Sequence, residues 1–251
     1  MNLLKLTTRL LLASCLVTSL AAQAEDFQYQ AQVSYDNINP DGGGSNTDVL
    51  ALRGTYYLAP VPTDGVPVGE AAYIARSSYA EVIASFIDNG NDNVDVLAAN
   101  FGYHVPNTIF FGRVGVVKTN FSDFPGSPGD DTSWNGTFGI VPVPRLFFGT
   151  DFTEGGYDPN ITVRYAGKLE NDHWAAASVT VVDPDEGDTE AAFNVDYYFP
   201  ALHLGAGFGT ADDRWSILAE TGLPHGFAIL GRYFTSDSGD GYGLMLTWRD
   251  L

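Results

Sequence analysis

Nine charged residues lie within segments that alternate apolar and polar residues, where most of them fall on the polar phase. Successive side chains of a β-strand point to opposite faces, so this phase would gather the charges on one face. Opposed arginines and carboxylates on the inner face of a pore select solutes by size and charge. The alternative is that the charges pair across a lumen filled with side chains, which would conduct nothing. The predicted inward-facing residues are Arg53, Arg76, Arg113, Asp151, Arg164, Lys168, Asp196, Glu220 and Arg232.

The segments that must position these charges are predicted β-strands with a two-residue period. The period is clear from Phe27 to Tyr35, from Ala191 to Phe199 and from Tyr242 to Trp248. Alternation bounded by turn residues predicts about 14 strands, and merging some of them would give 12. The predicted strands cover residues 26–37, 48–59, 71–87, 94–105, 108–119, 134–142, 146–154, 160–169, 173–182, 189–199, 202–210, 214–222, 226–236 and 241–249.

Residues 1–24 have the pattern of a secretory signal peptide. Lys5 and Arg9 supply its positive charge, residues 10–20 are mostly apolar, and Ala22-Gln-Ala24 is a small-residue cleavage site. An alternative is a lipoprotein signal at Leu12-Ala-Ser-Cys15, whose apolar core would be very short. Cleavage after Ala24 would leave residues 25–251 as one domain without cysteine, so no disulfide is expected.

The predicted leader, the alternating segments and the composition together predict a fold that spans a membrane. Aromatic residues make up 13% of the chain, and we find no amphipathic helix after residue 24. These features predict an all-β fold, a transmembrane antiparallel up-and-down β-barrel of about 12–14 strands, with 14 preferred. A charged side chain on the lipid face would cost about 2–4 kcal/mol at the bilayer midplane, which favours inward placement. A soluble periplasmic β-sandwich is the alternative fold.

The predicted connections between strands fall into two alternating kinds. One kind is short and often contains proline, as at Val105–Asn107 and Phe199–Ala201. The other is usually longer and rich in Gly, Asp and Asn, as at Asn39–Asn46 and Ser122–Ser133. Bacterial barrels have short periplasmic turns and longer external loops, so this alternation supports a barrel. The exception is Pro60–Glu70, which is long but falls on the periplasmic side.

The exceptional connection also carries a family resemblance. Its sequence joins Pro60-Val-Pro to Glu70-Ala-Ala-Tyr73 and Arg76-Ser-Ser78, and it resembles the putative general porins of proteobacterial outer membranes. The resemblance implies a barrel in the outer membrane of a Gram-negative bacterium, with a pore function. One departure is the chain end Trp248-Arg-Asp-Leu251, because the barrel assembly machinery usually recognises a terminal aromatic residue. Either Trp248 serves that role with a short tail after it, or recognition is weak.

Net charge limits the possible partners. Removing Lys5 and Arg9 with the leader leaves 10 of the 12 basic residues against 31 acidic ones, a net charge of −21. This balance excludes a nucleic-acid binder, which needs clustered Lys and Arg. The expected partners are outer-membrane lipid, lipopolysaccharide, the barrel assembly machinery and small hydrophilic solutes. No cofactor is expected.

Acidic residues concentrate in the predicted external connections, where they would repel anions and attract cations. They could also hold divalent ions that bridge to lipopolysaccharide phosphates. Asp183-Pro-Asp-Glu-Gly-Asp188 offers oxygen ligands for calcium but lacks the EF-hand spacing, so no metal site is assigned. These residues are Asp41, Asp88, Asp92, Asp123, Asp130, Asp131, Asp183, Asp185, Glu186, Asp188, Asp237 and Asp240.

Passive diffusion of small hydrophilic solutes, with a preference for cations, is the function that this sequence predicts. A non-conducting structural or receptor barrel is the first alternative, and an outer-membrane hydrolase is the second. Catalysis would need a base beside a nucleophile. The histidines, all at or beside predicted periplasmic turns without a convergent Ser and Asp set, are His104, His173, His203 and His225. We therefore expect no enzymatic activity, and the oligomeric state is left open.

Overall fold

The computed structural model describes residues 26–90, 93–122, 131–154, 156–182, 189–200, 202–210 and 213–251. The predicted leader and parts of the predicted external loops, at 91–92, 123–130 and 183–188, lie outside the described residues. The described residues form 14 strands, one α-helix and a 3-10 turn. The strands are β1 Phe27–Pro40, β2 Thr47–Val61, β3 Tyr79–Asp88, β4 Asn93–His104, β5 Phe110–Ser122, β6 Asp131–Val143, β7 Leu146–Thr153, β8 Gly156–Lys168, β9 Trp174–Val182, β10 Glu190–Tyr198, β11 Leu202–Gly209, β12 Arg214–Gly222, β13 Phe227–Ser236 and β14 Gly239–Arg249. The helix, α1, is Val68–Ile74, and the 3-10 turn is Glu170–Asp172.

The strands form one closed antiparallel ring in chain order, in which β1 pairs with β14. This last pairing runs from Gln30 opposite Arg249 to Pro40 opposite Gly239. Asp250 continues the seam, because its Oδ1 accepts the backbone N–H groups of Gln28 and Tyr29 at 2.8 and 2.7 Å. The prediction of a 14-stranded up-and-down barrel is confirmed, and a sandwich of two sheets is excluded. Closure pairs both edges that an open sheet would expose.

The two faces of the wall differ in composition, as the alternation predicts. Leu52, Leu97 and Val114 are among the large apolar side chains exposed on the outside, and Val114 is 60% exposed. Residues of the opposite phase face the lumen and include most of the polar and charged side chains. An exposed apolar surface of this extent is the membrane-facing surface of an outer-membrane barrel.

The prediction of a strand from residue 71 to residue 87 is wrong in its first part. Residues 68–74 form α1, and the strand begins only at Tyr79. The helix follows Pro67, which has extended backbone angles, and contains the good helix formers Glu70, Ala71 and Ala72. Seven residues are too few to show helical periodicity beside an alternating strand. Among the described helices, none has the length and apolar composition of a membrane-spanning helix.

Helix α1 lies inside the periplasmic end of the barrel and contacts opposite walls. Ala71 is fully buried in a cluster with Phe27 of β1 and with Tyr57 and Val61 of β2. Tyr73 and Ile74 pack on a second cluster, formed by residues of β8, β9 and β10. Strands β1 and β8 are seven places apart in a ring of 14, so they stand on opposite sides. The helix therefore spans the lumen from wall to wall.

Candidate functional site

The charged residues of the lumen are paired along the wall, and the clearest pair crosses one strand. Asp36 of β1 and Arg232 of β13 are both in register with Gly243 of the intervening strand β14. Arg232 donates from Nε to Asp36 Oδ1 at 2.8 Å, and its Nη2 lies 2.6 Å from Asp36 Oδ2. A Cβ on Gly243 would overlap Asp36 Oδ1 and approach Arg232 Nε to 2.8 Å. The missing side chain thus lets the ion pair lie flat against the wall.

Two further arginine pairs also lie along the wall. Arg113 of β5 donates from Nη2 to Asp151 Oδ1 of β7 at 3.3 Å. Thr137 of the intervening strand β6 lies in the same row and donates its hydroxyl to Asp151. Arg53 Nε lies 3.6 Å from Glu81 Oε2 on the adjacent strand. Both pairs join strands that are one or two places apart, so they do not cross the lumen.

The ion pair that reaches into the lumen belongs to α1. Glu70, which is 2% exposed, accepts hydrogen bonds from Arg164 Nη2 and from the Tyr198 hydroxyl, both at Oε1 and both at 2.5 Å. Arg164 lies on β8 and Tyr198 on β10. Within the described residues the other carboxylate oxygen, Oε2, has no hydrogen-bond partner. A buried carboxylate needs such partners to offset its lost hydration, so these contacts hold the helix across the lumen.

Two more side chains tie the segment to the wall. The Tyr73 hydroxyl donates to the carbonyl oxygens of Arg145 and Arg164 at 2.7 and 3.0 Å. Burial raises the pKa of Tyr73 to about 12. Arg76 was expected on a strand, but it lies in the turn after α1 with a φ of 54°. Its guanidinium donates to the carbonyl oxygens of Thr108 and Val141 at 3.4 and 3.3 Å.

His203 brings two of the predicted carboxylates together. Its Nε2 lies 2.9 Å from Asp196 Oδ1, and its Nδ1 lies 3.4 Å from Glu220 Oε2. The imidazole also stacks on the Tyr198 ring, with a centroid separation of 4.2 Å. The three polar residues lie on β10, β11 and β12, beside the Tyr198 that holds Glu70. This cluster and the α1 contacts therefore form one continuous polar network near the periplasmic end.

Lys168, the remaining predicted residue, lies at the periplasmic rim. Its Nζ is 2.8 Å from Asp172 Oδ1 in the 3-10 turn, and both side chains are substantially exposed. The hydrogen bond and the charge of Lys168 lower the pKa of the Asp172 carboxyl. An exposed pair of this kind contributes little to stability.

Sequence reasoning missed the carboxylate partners of four predicted cations. These partners are Asp36, Glu70, Glu81 and Asp172. Asp36 and Glu81 lie on the polar phase of their strands, which is a signal that could have found them. Glu70 gave no such signal, because the sequence predicted a connection up to residue 70 and a strand from residue 71, where the structure has helix α1. The roles of the predicted residues in conduction stay a prediction.

The other histidines lie apart from this network. His104 packs on the Phe111 ring, and His173 Nδ1 is 2.6 Å from the Tyr197 hydroxyl. His225 is in the turn between β12 and β13 with a φ of 60°. Across the described ranges, no group of three or more His, Cys, Asp or Glu residues is arranged to hold a metal ion. The Asp183–Asp188 segment lies outside those ranges.

Comparison with known proteins relates this barrel to porins. The family of putative general bacterial porins matches residues 1–125, which include α1 and its Glu70-Ala-Ala-Tyr73 sequence. No curated protein matches the sequence.

The solved structures support the fold. The outer membrane protein Omp33 of Acinetobacter baumannii superposes with a TM-score of 0.74 at 15% identity, covering 90% of this chain and 100% of that one. A deltaS2 mutant of the monoaromatic hydrocarbon channel TodX superposes with a TM-score of 0.55 at 11% identity, covering 92% of this chain and 91% of that one. At these identities the likeness shows the fold alone. The match over residues 1–125, on a closed 14-stranded barrel, shows that this chain resembles the putative general bacterial porins and is a porin-like barrel of the outer membrane.

Proposed function

We propose that this protein lets small hydrophilic solutes diffuse passively across the outer membrane through its lumen, with a preference for cations. The observation that carries the proposal is the position of the lumen charges. The Asp36–Arg232 pair lies flat over Gly243, and the Arg113–Asp151 pair runs along its row of the wall. Charges that pair along the wall do not obstruct the lumen axis, which α1 crosses at the periplasmic end. Rows of this kind also present both signs of charge to a passing solute.

The preference for cations is attributed to the external mouth. Five of the predicted acidic residues lie in described positions at that end: Asp41, Asp88, Asp131, Asp237 and Asp240. They are accompanied by a strongly negative overall charge. A mouth of one sign raises the local concentration of counter-ions and lowers that of anions. Cations would therefore enter more readily than anions of the same size.

The experiment that tests the proposal is conductance of the purified, folded protein in planar bilayers. We expect discrete channels whose reversal potential in a KCl gradient shows that potassium is more permeant than chloride. Folding is verified by heat-modifiable migration on gels, since a closed barrel resists SDS until it is boiled. Correctly folded protein without channels would overturn the pore function, and chloride preference would overturn the assigned selectivity.

A second candidate is a non-conducting structural or receptor barrel, and helix α1 favours it. The helix joins opposite walls at the periplasmic end and is held there by Arg164 and Tyr198. A helix that stayed in this position could prevent passage of all but the smallest solutes. The conductance measurement separates the two functions, because a permanently blocked barrel gives no channels at any voltage.

The surrounding partners follow from the same proposal. The apolar outside would contact outer-membrane lipid, and the external carboxylates could bind lipopolysaccharide through divalent cations. The aromatic Trp248 near the end of β14 would serve recognition by the barrel assembly machinery. No enzymatic activity is proposed, because among the described residues His203 hydrogen-bonds to the carboxylates of Asp196 and Glu220 and to no hydroxyl or thiol.

A further inference from the structure

A cavity of about 210 Å³ lies inside the periplasmic end, between α1 and the wall. Strands β1, β2, β10, β11, β12 and β14 and the helix contribute to its lining. On the helix side it is bounded by Val68, Gly69 and Ala72, and on the wall side by Glu220 and Arg249, among others. At about 30 Å³ per water molecule, this volume corresponds to about seven waters. The cavity is therefore large enough for a solute of amino-acid size.

Arg249 is the buried cation of this cavity. It is 6% exposed, and its guanidinium lies 5.7 Å from the centre of the Phe27 ring. Its Nε donates to Gln30 Oε1 at 3.0 Å, and in the part of the chain that the structure describes it forms no ion pair. Its terminal nitrogens therefore have no carboxylate partner there. A buried guanidinium gains most from a carboxylate that accepts two parallel hydrogen bonds.

A negative group lines the same cavity. Glu220 lies on β12, two strands from Arg249, and its side chain is 18% exposed. Its contact with His203 is long, at 3.4 Å. Glu220 and Arg249 interact electrostatically but do not form an ion pair with each other. The cavity thus presents separate positive and negative groups, with the apolar side chains of α1 beside them.

We infer that this cavity binds a small zwitterion, an α-amino acid, with its carboxylate on Arg249 and its ammonium group toward Glu220. A phosphate or a dicarboxylate would bring excess negative charge close to Glu220. A simple cation would leave Arg249 without a counter-charge. The zwitterion adds no net charge to the cavity and offers an opposite charge to each of the two groups, and its side chain would contact Val68 and Ala72. As a statement about transport, the inference rests on the proposed pore function, because a site inside the lumen would bind one of the solutes that the pore carries.

The chemistry of the ligand can be tested on the unaltered protein. Calorimetric titration of the folded barrel with L-alanine is compared with propionate, which lacks the ammonium group, and with alaninamide, which lacks the carboxylate. We expect L-alanine to bind at least about tenfold more tightly than either analogue, since each loses one charged contact. Equal affinity for propionate would overturn the role of Glu220, and equal affinity for alaninamide would overturn the role of Arg249. No binding of alanine would overturn the inference as a whole.

Variants locate the site. Arg249→Gln should weaken alanine binding by about tenfold or more, and Glu220→Gln should remove the preference for alanine over propionate. Arg214→Gln is the matched control, because Arg214 also lies over a phenylalanine ring, that of Phe234, but at the external end. Unchanged alanine affinity in a folded Arg249→Gln protein would overturn the assignment. If Arg249→Gln does not fold, the three-ligand comparison decides.

Conductance in the same preparations separates this inference from the pore function. Channels that are not affected by alanine, together with no calorimetric binding, would overturn the binding site and leave the pore. Alanine binding by a barrel that never conducts would support the site and overturn the pore. Channels whose conductance falls as alanine is added would support both.

Discussion

Glu70 of α1 meets Arg164 of β8 at 2.5 Å, on the side of the barrel opposite the β1 residue Phe27 against which the same helix packs. The ion pair and the apolar cluster hold the helix from two sides, through the adjacent residues Glu70 and Ala71. The seven-residue helix owes its position to these tertiary contacts, since so short a helix is not stable by itself. The lumen therefore contains a crossing element whose attachment depends on a small number of polar contacts.

Glu70→Gln should loosen the helix and increase conductance. The substitution removes the charge that Arg164 and Tyr198 pair with, which should lower the docking free energy of α1 by about 1–3 kcal/mol. Each 1.4 kcal/mol raises the undocked population about tenfold. Single-channel recording should show a larger or more frequent open state. The control is Glu170→Gln, the same substitution at an exposed position of the same end. Identical channels in wild type and Glu70→Gln would contradict this role for the ion pair.

Gly243→Ala should destabilise the barrel and disturb the Asp36–Arg232 pair. The added Cβ would overlap Asp36 Oδ1, and its other close neighbour is Arg232 Nε. Overpacking of this kind costs about 1–3 kcal/mol, measured as a lower urea midpoint of the folded gel band. Gly112→Ala is the control, because a Cβ there meets no atom within 4 Å. If both alanine variants unfold at the wild-type midpoint, the pair does not need the glycine.

Arginine at two neighbouring positions of β3 should have opposite consequences. Ala84 is in register with the outward-facing Leu52 and Leu97, whereas Ser85 lies on the lumen face. Ala84→Arg should therefore cost about 2–4 kcal/mol in a bilayer, and Ser85→Arg much less. Equilibrium unfolding from lipid vesicles measures both. Equal destabilisation by the two variants would show that the lipid-facing and lumen-facing phases are wrongly assigned.

Cation selectivity should weaken as the salt concentration rises. Charges at the mouth act over a Debye length, which is about 10 Å at 0.1 M salt and about 3 Å at 1 M. The potassium-to-chloride permeability ratio from reversal potentials should therefore fall toward one across this range. A triple Asp41→Asn, Asp237→Asn, Asp240→Asn variant should already show a lower ratio at 0.1 M. A ratio that is independent of both salt and these substitutions would assign the selectivity to another part of the channel.

Local pattern predicted the strands well, because the two faces of a barrel wall impose a period of two on every strand. Phe27 to Tyr35 lies within β1, and Tyr242 to Trp248 lies within β14. The strand count and the assignment of apolar residues to the outside follow from the same period. Helix α1 was missed because Ala71, Ala72 and Tyr73 are compatible with a strand, and seven residues contain only two helical turns.

By itself, the sequence determined the strands and the face on which each side chain lies, because both depend on neighbours one or two positions away. Only the tertiary structure decided which residues meet across the chain. Glu70 and Arg164 are 94 residues apart, and Asp36 and Arg232 are 196 apart. Ring closure fixes these encounters, since it sets which strands are neighbours and which stand on opposite sides. The paired charges of the wall, the helix across the lumen and the cavity beside Arg249 all result from that closure.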